Sequence, residues 1–115
     1  MADYQWKIYW VNLDPALGPE QGGKRPVLVI SSDEINEFLS VVGILSMTSF
    51  KKARIIYPTE LMLRAEETGL DRDSIVMAHQ VRVISKERIG EECGKIQSDE
   101  LQEKIKTIIR KYLDI

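Results

Sequence analysis

The chain is poor in the residues that build disulfides and metal sites. Its 115 residues include one cysteine, Cys93, and one histidine, His79. A single cysteine forms no internal disulfide, which excludes a disulfide-stapled secreted scaffold. A zinc site of the usual Cys/His type needs more such ligands than the chain has. A pair of histidines exchanging acid and base roles is excluded too, and we expect neither a metal nor a cofactor.

Long apolar runs and an excess of positive charge are also lacking. No apolar stretch approaches the roughly 20 residues that span a bilayer, and residues 1–7 lack the apolar core of a signal peptide. We therefore expect a soluble cytoplasmic protein without membrane contact. The 16 Lys and Arg residues face 18 Asp and Glu residues, for a net charge of -2. Coating of duplex DNA by bulk charge is excluded, so any polyanion site must be local.

What is present is an ordinary globular composition in which short apolar runs alternate with turn residues. The length suits one domain spanning residues 1–115. Strands are predicted at residues 4–11, 27–30, 40–47, 54–57, 61–63, 74–77 and 80–84. Residues 32–39 are predicted as a loop or short helical turn, and Gly43 as a bulge or bend.

The C-terminal segment has a different period. Apolar residues from Leu101 to Leu113 recur at helical spacing, and Ser98 is a suitable N-cap residue. We predict a mainly β fold, a small barrel of short strands with a C-terminal amphipathic helix.

The glycine-rich segment Gly18–Arg25 nearly matches a P-loop. Arg25 stands where a magnesium-binding hydroxyl is needed, and Pro26 begins a β run where a helix should start. Nucleotide binding is therefore not expected. Glycines let backbone approach a ligand closely, and an arginine fixed at a strand mouth can bind phosphate through its guanidinium. The alternative for this segment alone is a surface hairpin with solvated charges.

Further candidates follow the later strands. The hydroxyls of Thr48 and Ser49 can donate to a phosphate or cap a turn. Lys51 and Lys52 can hold a backbone phosphate or lie solvated at a strand edge.

The segment around the histidine offers a second group of candidates. Gln80 and Arg82 share one face of a strand and can hydrogen-bond base edges or phosphates. A lone histidine such as His79 is more often structural, and Cys93 is expected to be an inert thiol near a loop.

Taken together, these segments resemble the MazF/PemK family of toxin endoribonucleases over nearly the whole chain. The residues that carry the resemblance are Val11–Pro15, Gly18–Ile30, Met47–Ser49, Gly69–Ser74 and Gln80–Arg88. Glu-Gln-Gly-Gly-x-Arg-Pro, at residues 20–26, is the most specific part. The resemblance implies an SH3-like barrel that dimerises and cleaves single-stranded RNA without a metal. It also implies a cognate, MazE-like antitoxin whose acidic segment blocks the RNA groove.

The resemblance also implies roles for individual residues. Arg25 would be the catalytic arginine and Thr48 the catalytic hydroxyl residue. With the basic loop residues added, the expected substrate-binding set is Glu20, Gln21, Gly22, Lys24, Ser49, Lys51, Lys52, His79, Gln80 and Arg82. The attacking group would be the 2′-hydroxyl of the RNA, giving 2′,3′-cyclic phosphate and 5′-hydroxyl ends.

Three points stay open on the sequence alone. Glu20 and His79 are both candidates for the general base. His79 stands where the family often has an acidic residue, which could alter base preference or pH dependence. A non-catalytic, CcdB-like toxin that poisons DNA gyrase is the alternative function. We expect such a toxin to act through its C-terminal helix, whereas the ribonuclease needs Arg25 and Thr48.

Overall fold

Six antiparallel strands form one curled sheet, and the computed structural model describes all residues, 1–115. The strands are β1 (Lys7–Asn12), β2 (Lys24–Val29), β3 (Val41–Ser49), β4 (Glu60–Leu63), β5 (Ser74–Ser85) and β6 (Glu92–Lys95). Their order across the sheet is β4-β5-β3-β2-β1-β6, so β4 and β6 are the edges of a half-barrel. The helices are α1 (Asp33–Asn36), α2 (Ala65–Thr68) and α3 (Asp99–Leu113).

The sheet is buried on both faces because successive residues of its central strands, such as Val27, Leu28 and Val29, are apolar and point to opposite faces. Ile8, Leu28 and Leu45 pack under α3 in one cluster. Tyr9 and Val27 belong to a second cluster, on the opposite face of the sheet. The expected mainly β fold with a C-terminal helix is therefore confirmed.

Helix α3 begins and ends as its sequence predicts. The Ser98 Oγ accepts a hydrogen bond from the Leu101 backbone N–H at 3.3 Å, which satisfies one of the free donors of the first turn. Leu101, Ile105 and Ile108 are buried against the sheet, and burying each such side chain contributes about 1.5–3 kcal/mol. None of the helices combines the length and the apolar composition that a membrane-spanning segment requires.

The two strands predicted at 74–77 and 80–84 form one continuous strand, β5, with a break in its pairing to β3. Met47 pairs with Val76 and Leu45 with Val81, so residues 77–80 lie opposite Ser46 alone. Such a bulge bends the strand and redirects its side chains. At Gly43, where a bulge or bend is expected, the pairing with Val83 of β5 is regular, but on the β2 side the Gly43 carbonyl accepts from two successive backbone N–H groups, Ile30 at 2.9 Å and Ser31 at 3.4 Å. Two residues thus face one at this position, as in a bulge.

The prediction of a strand at residues 54–57 is wrong, since these residues lie in the β3–β4 loop. The buried Glu60 carboxylate organises this loop. Its Oε2 lies 2.8 Å from Arg54 Nη2, and its Oε1 accepts from the Tyr57 backbone N–H at 3.0 Å. The hydrogen bond from Arg54 holds the pKa of Glu60 below its ordinary value despite burial. The carboxylate therefore folds this apolar run into a loop instead of a sheet strand.

Two smaller expectations, for residues 32–39 and for Cys93, can also be compared with the structure. The helical turn expected within residues 32–39 is present as α1. Cys93, expected near a loop, lies half-buried in β6, a strand of four residues with loops on either side, and burial raises the pKa of its thiol to about 11.

Candidate functional site

Arg25 and Thr48 meet across neighbouring strands. Val27 of β2 pairs with Ser46 of β3, and two residues further along each strand the side chains return to the same face. Arg25 Nη1 lies 3.4 Å from Thr48 Oγ1, to which it donates a long hydrogen bond. Both residues are half-buried. A guanidinium and a hydroxyl are thus held side by side at the ends of two strands, where an anion can reach both.

The β1–β2 loop fixes the orientation of the arginine. Arg25 Nε donates to the Gly22 carbonyl at 2.7 Å, and the Gly23 N–H donates to Asp14 Oδ1 at 2.9 Å. A Cβ at Gly22 would lie 2.8 Å from Asp14 Oδ1 and 2.9 Å from the Ala16 Cβ. Only glycine fits there, so the loop sequence itself sets the position of the carbonyl that holds Arg25.

Gln80 and Arg82 hold the same loop from the opposite side. Gln80 Oε1 accepts from the Gln21 backbone N–H at 3.1 Å, and its Nε2 donates to the Pro19 carbonyl at 3.2 Å. Arg82 Nη1 donates to the Leu13 carbonyl at 2.8 Å. Gln80 and Arg82, both expected to contact RNA, therefore form hydrogen bonds to the backbone of the β1–β2 loop instead.

The two candidates for the general base are held by their own surroundings. His79 Nδ1 lies 2.9 Å from Thr59 Oγ1, and its Nε2 lies 4.0 Å from Glu60 Oε2. Glu20 Oε1 accepts from the Leu17 backbone N–H at 2.8 Å. These contacts keep both side chains within their own loop and strand, and neither hydrogen-bonds to Arg25 or Thr48.

A cleft of about 330 Å³ opens at the β3–β5 bulge. Its lining consists of Leu13, Glu20, Gln21, Ile44, Ser46, His79, Gln80, Val81 and Arg82. Two buried polar atoms have no hydrogen-bond partner, Gln21 Oε1 and Ser46 Oγ, and both residues line this cleft. Sequence reasoning missed Ser46. The available signal was a lone hydroxyl within an apolar strand, two residues before Thr48.

The other expected substrate-binding residues lie outside this cleft. Lys24, Lys51 and Lys52 are exposed on loops and strand ends. Ser49 follows Thr48 and so points to the opposite face, where it lines a second cleft of about 340 Å³ together with Trp10 and Pro26. No group of three or more His, Cys, Asp or Glu side chains comes together in the chain.

A curled β-sheet with a C-terminal helix defines the chain as a small β protein, in which an arginine and a hydroxyl meet at the ends of two strands. Residues 4–113 match the family described as PemK-like, MazF-like toxin of type II toxin-antitoxin systems. The chain is also 35% identical over 99 residues to Endoribonuclease EndoA of Bacillus subtilis, covering 85% of this chain and 83% of that protein. The chain therefore belongs to the PemK-like, MazF-like toxin family.

Solved structures extend the likeness over the whole fold. A crystal structure of MazF from Deinococcus radiodurans superposes with a TM-score of 0.81 at 25% identity and covers 100% of this chain and 99% of its own. A MazE–MazF structure from the same organism gives 0.74 at 25% identity, covering 100% and 98%. A mycobacterial endoribonuclease in complex with its cognate antitoxin gives 0.79 at 19% identity, covering 99% and 97%, and supports the fold alone.

Proposed function

We propose that this toxin is a sequence-specific endoribonuclease that cuts single-stranded RNA, with Arg25 and Thr48 at the scissile phosphate. The contact between these two side chains at 3.4 Å is the observation that carries the proposal. Family membership and the 35% identity to an endoribonuclease support it. We further propose that residues 1–115 act as one domain, in the cytoplasm, where messenger RNA is accessible.

The proposed reaction uses the nucleophile that RNA carries. The 2′-hydroxyl attacks the adjacent phosphate, the bond to the 5′-oxygen breaks, and the products are a 2′,3′-cyclic phosphate and a 5′-hydroxyl. Neither a side-chain nucleophile nor a metal is needed for this step. The protein has to hold the sugar and phosphate in line and stabilise the growing negative charge.

Arg25 suits the stabilising role because its guanidinium is fixed before RNA arrives. Its Nε is anchored at the Gly22 carbonyl, which leaves N–H groups of the fork for the phosphorane oxygens. Loss of one such preorganised donor costs on the order of 100–1000-fold in rate. Thr48 would hydrogen-bond the scissile phosphate or the 2′-oxygen. Arginine stays protonated in proteins, so Arg25 is excluded as the general base.

We propose that the working form is a homodimer that a cognate, MazE-like antitoxin inhibits. Structures of MazE–MazF and of an endoribonuclease bound to its cognate antitoxin are known for proteins of this fold. The exposed lysines Lys24, Lys51 and Lys52 lie on the loops and strand ends that adjoin the two catalytic residues. They would attract an RNA backbone and, equally, an acidic antitoxin segment.

The alternative, a toxin that poisons DNA gyrase without catalysis, finds less support. Such a protein has no need for Arg25 to be anchored by Gly22 and to meet Thr48. The preorganised pair favours the ribonuclease.

The test is cleavage of single-stranded RNA by the purified protein with and without EDTA. We expect cleavage to persist in EDTA and to yield cyclic phosphate ends detected by mass spectrometry. Arg25→Ala and Thr48→Ala should each lower the rate by about 100-fold or more. Arg110→Ala and Thr107→Ala, exposed changes of the same type on α3, are the matched controls. A near wild-type rate in Arg25→Ala, or activity lost in EDTA and restored by magnesium, would contradict the mechanism.

A further inference from the structure

The β3–β5 bulge creates a pocket that the catalytic chemistry does not use. Ser46 is 1% exposed and its hydroxyl has no hydrogen-bond partner. Gln21 Oε1, also buried and unpartnered, belongs to the lining of the same cleft. Nearly all buried polar atoms in folded proteins are paired, so two orphans in one cleft suggest that a ligand supplies their partners.

The other polar side chains of the cleft wall each have at least one hydrogen-bond partner within the protein. Both ends of the Gln80 amide bind the β1–β2 loop, Arg82 binds the Leu13 carbonyl, and Thr59 binds His79 Nδ1. Gln80 and Arg82 therefore hold the wall in place. Ser46 and Gln21 are the buried groups that are free to form new hydrogen bonds.

The position of the pocket indicates what would fill it. Ser46 precedes Thr48 by two residues on the same face of β3, about 7 Å at ~3.3 Å per residue. The nucleotide next to the scissile phosphate is within that reach. Leu13 and Ile44 add apolar walls to a cleft of about 330 Å³ whose lining is otherwise mostly polar. A base has an apolar ring face and a polar edge, so it can use both kinds of wall.

We infer that the pocket formed by Ser46 and Gln21 recognises one base of the RNA next to the cut, through the Watson–Crick edge of that base. This inference rests on the proposed ribonuclease function. Gln21 Oε1 accepts from a ring N–H or an exocyclic amino group, and the Ser46 hydroxyl donates to the neighbouring ring acceptor. Sequence-specific recognition of single-stranded RNA uses such contacts to base edges. Ser46 is thereby a specificity-determining residue, and Gln80 and Arg82 are positioning residues.

The experiment compares cleavage profiles on a randomised single-stranded RNA pool, with the 5′ ends of the products sequenced. The variants are Ser46→Ala, which removes only the hydroxyl, and Gln21→Met, which keeps the length of the side chain. Ser40→Ala, an exposed change of the same type, is the control. Each variant is first checked for thermal unfolding, and Ser46→Ala should fold at least as well because it removes an unpaired buried group.

The expected result is a change at one and the same position of the recognition sequence in both variants. Discrimination between bases there should fall on the order of tenfold, while the other positions and the Ser40→Ala profile stay as in the wild type. Cleavage with an unchanged profile in both variants would refute base recognition by this pocket, while the proposed ribonuclease function would still hold. Loss of all cleavage in stably folded variants would refute base recognition by the pocket too. A wild-type protein that cuts no RNA would refute the proposed ribonuclease function, and base recognition by the pocket would then be refuted as well.

Discussion

Gly22→Ala is the change that best tests how the β1–β2 loop controls Arg25, the proposed catalytic arginine. The glycine acts on the site through its carbonyl, which accepts from Arg25 Nε at 2.7 Å. An added Cβ would meet Asp14 Oδ1 at 2.8 Å and the Ala16 Cβ at 2.9 Å. Asp14 cannot retreat freely, because its Oδ1 also accepts from the Gly23 N–H. The loop itself has to shift, and the Gly22 carbonyl shifts with it.

The size of the effect follows from that displacement. A misplacement of about 1 Å in a catalytic group costs on the order of 100-fold in rate. Complete loss of the donor would set an upper limit of about 1000-fold. Weakening the hydrogen bond between Asp14 and Gly23 should lower the free energy of unfolding by about 1–2 kcal/mol. We therefore expect a folded protein that cuts RNA about 100-fold more slowly.

The assay is single-turnover cleavage of a short RNA oligonucleotide, combined with thermal unfolding. Gly43→Ala is the matched control, since a Cβ there meets the Ser31 Cβ at an ordinary 3.5 Å. Adding Gly22→Ala to Arg25→Ala should slow the reaction less than about threefold further, because the loop acts through Arg25. A Gly22→Ala protein with a rate within about threefold of wild type and an unchanged Tm would refute this reasoning.

Two further predictions concern groups whose pKa the fold shifts. Arg54 holds the pKa of Glu60 below its ordinary 4.5, so the stabilisation from this pair is complete above about pH 4.5 and is lost as the pH falls through the folded pKa. Urea unfolding at several acidic pH values should show this loss. Glu60→Gln should weaken that pH dependence, with a part remaining from Asp33, whose pKa is also lowered, and should lower the free energy of unfolding at neutral pH by about 1–3 kcal/mol. Burial raises the pKa of Cys93 to about 11, so alkylation by iodoacetamide near pH 8 should run about 100-fold slower than for free cysteine. Equal rates for the folded and the urea-unfolded protein would contradict that expectation.

Local pattern predicted the parts of this fold that local physics governs. The spacing of apolar residues from Leu101 onward and the cap at Ser98 define α3, because a helix is stabilised within its own segment. The same kind of pattern failed at residues 54–57. Their apolar run has the composition of a strand, yet a carboxylate several residues away at Glu60 binds Arg54 and closes the loop.

The candidate site divides in the same way. The loop sequence around Gly22 and the hydroxyl at Thr48 are enough to mark Arg25 and Thr48 as a candidate pair. The sequence could not show that the Gln80 amide hydrogen-bonds to the backbone of Gln21 and Pro19, which are 59 and 61 residues away in the chain. Nor could it show that Ser46 is buried without a partner, because a serine in a strand is ordinarily solvated or paired.

The sequence by itself determined the mainly β class, the C-terminal helix, the family and the candidate residues for phosphate binding. These properties follow from periodicity, capping and a motif of adjacent residues. Only the tertiary structure decided which polar groups are free. The pairing of β3 with β5 breaks opposite Ser46, and that break depends on contacts between segments distant in the chain. Which polar groups find hydrogen-bond partners depends on such distant contacts. The cleft at Ser46 therefore exists only in the folded sheet, where separate segments come together to line it.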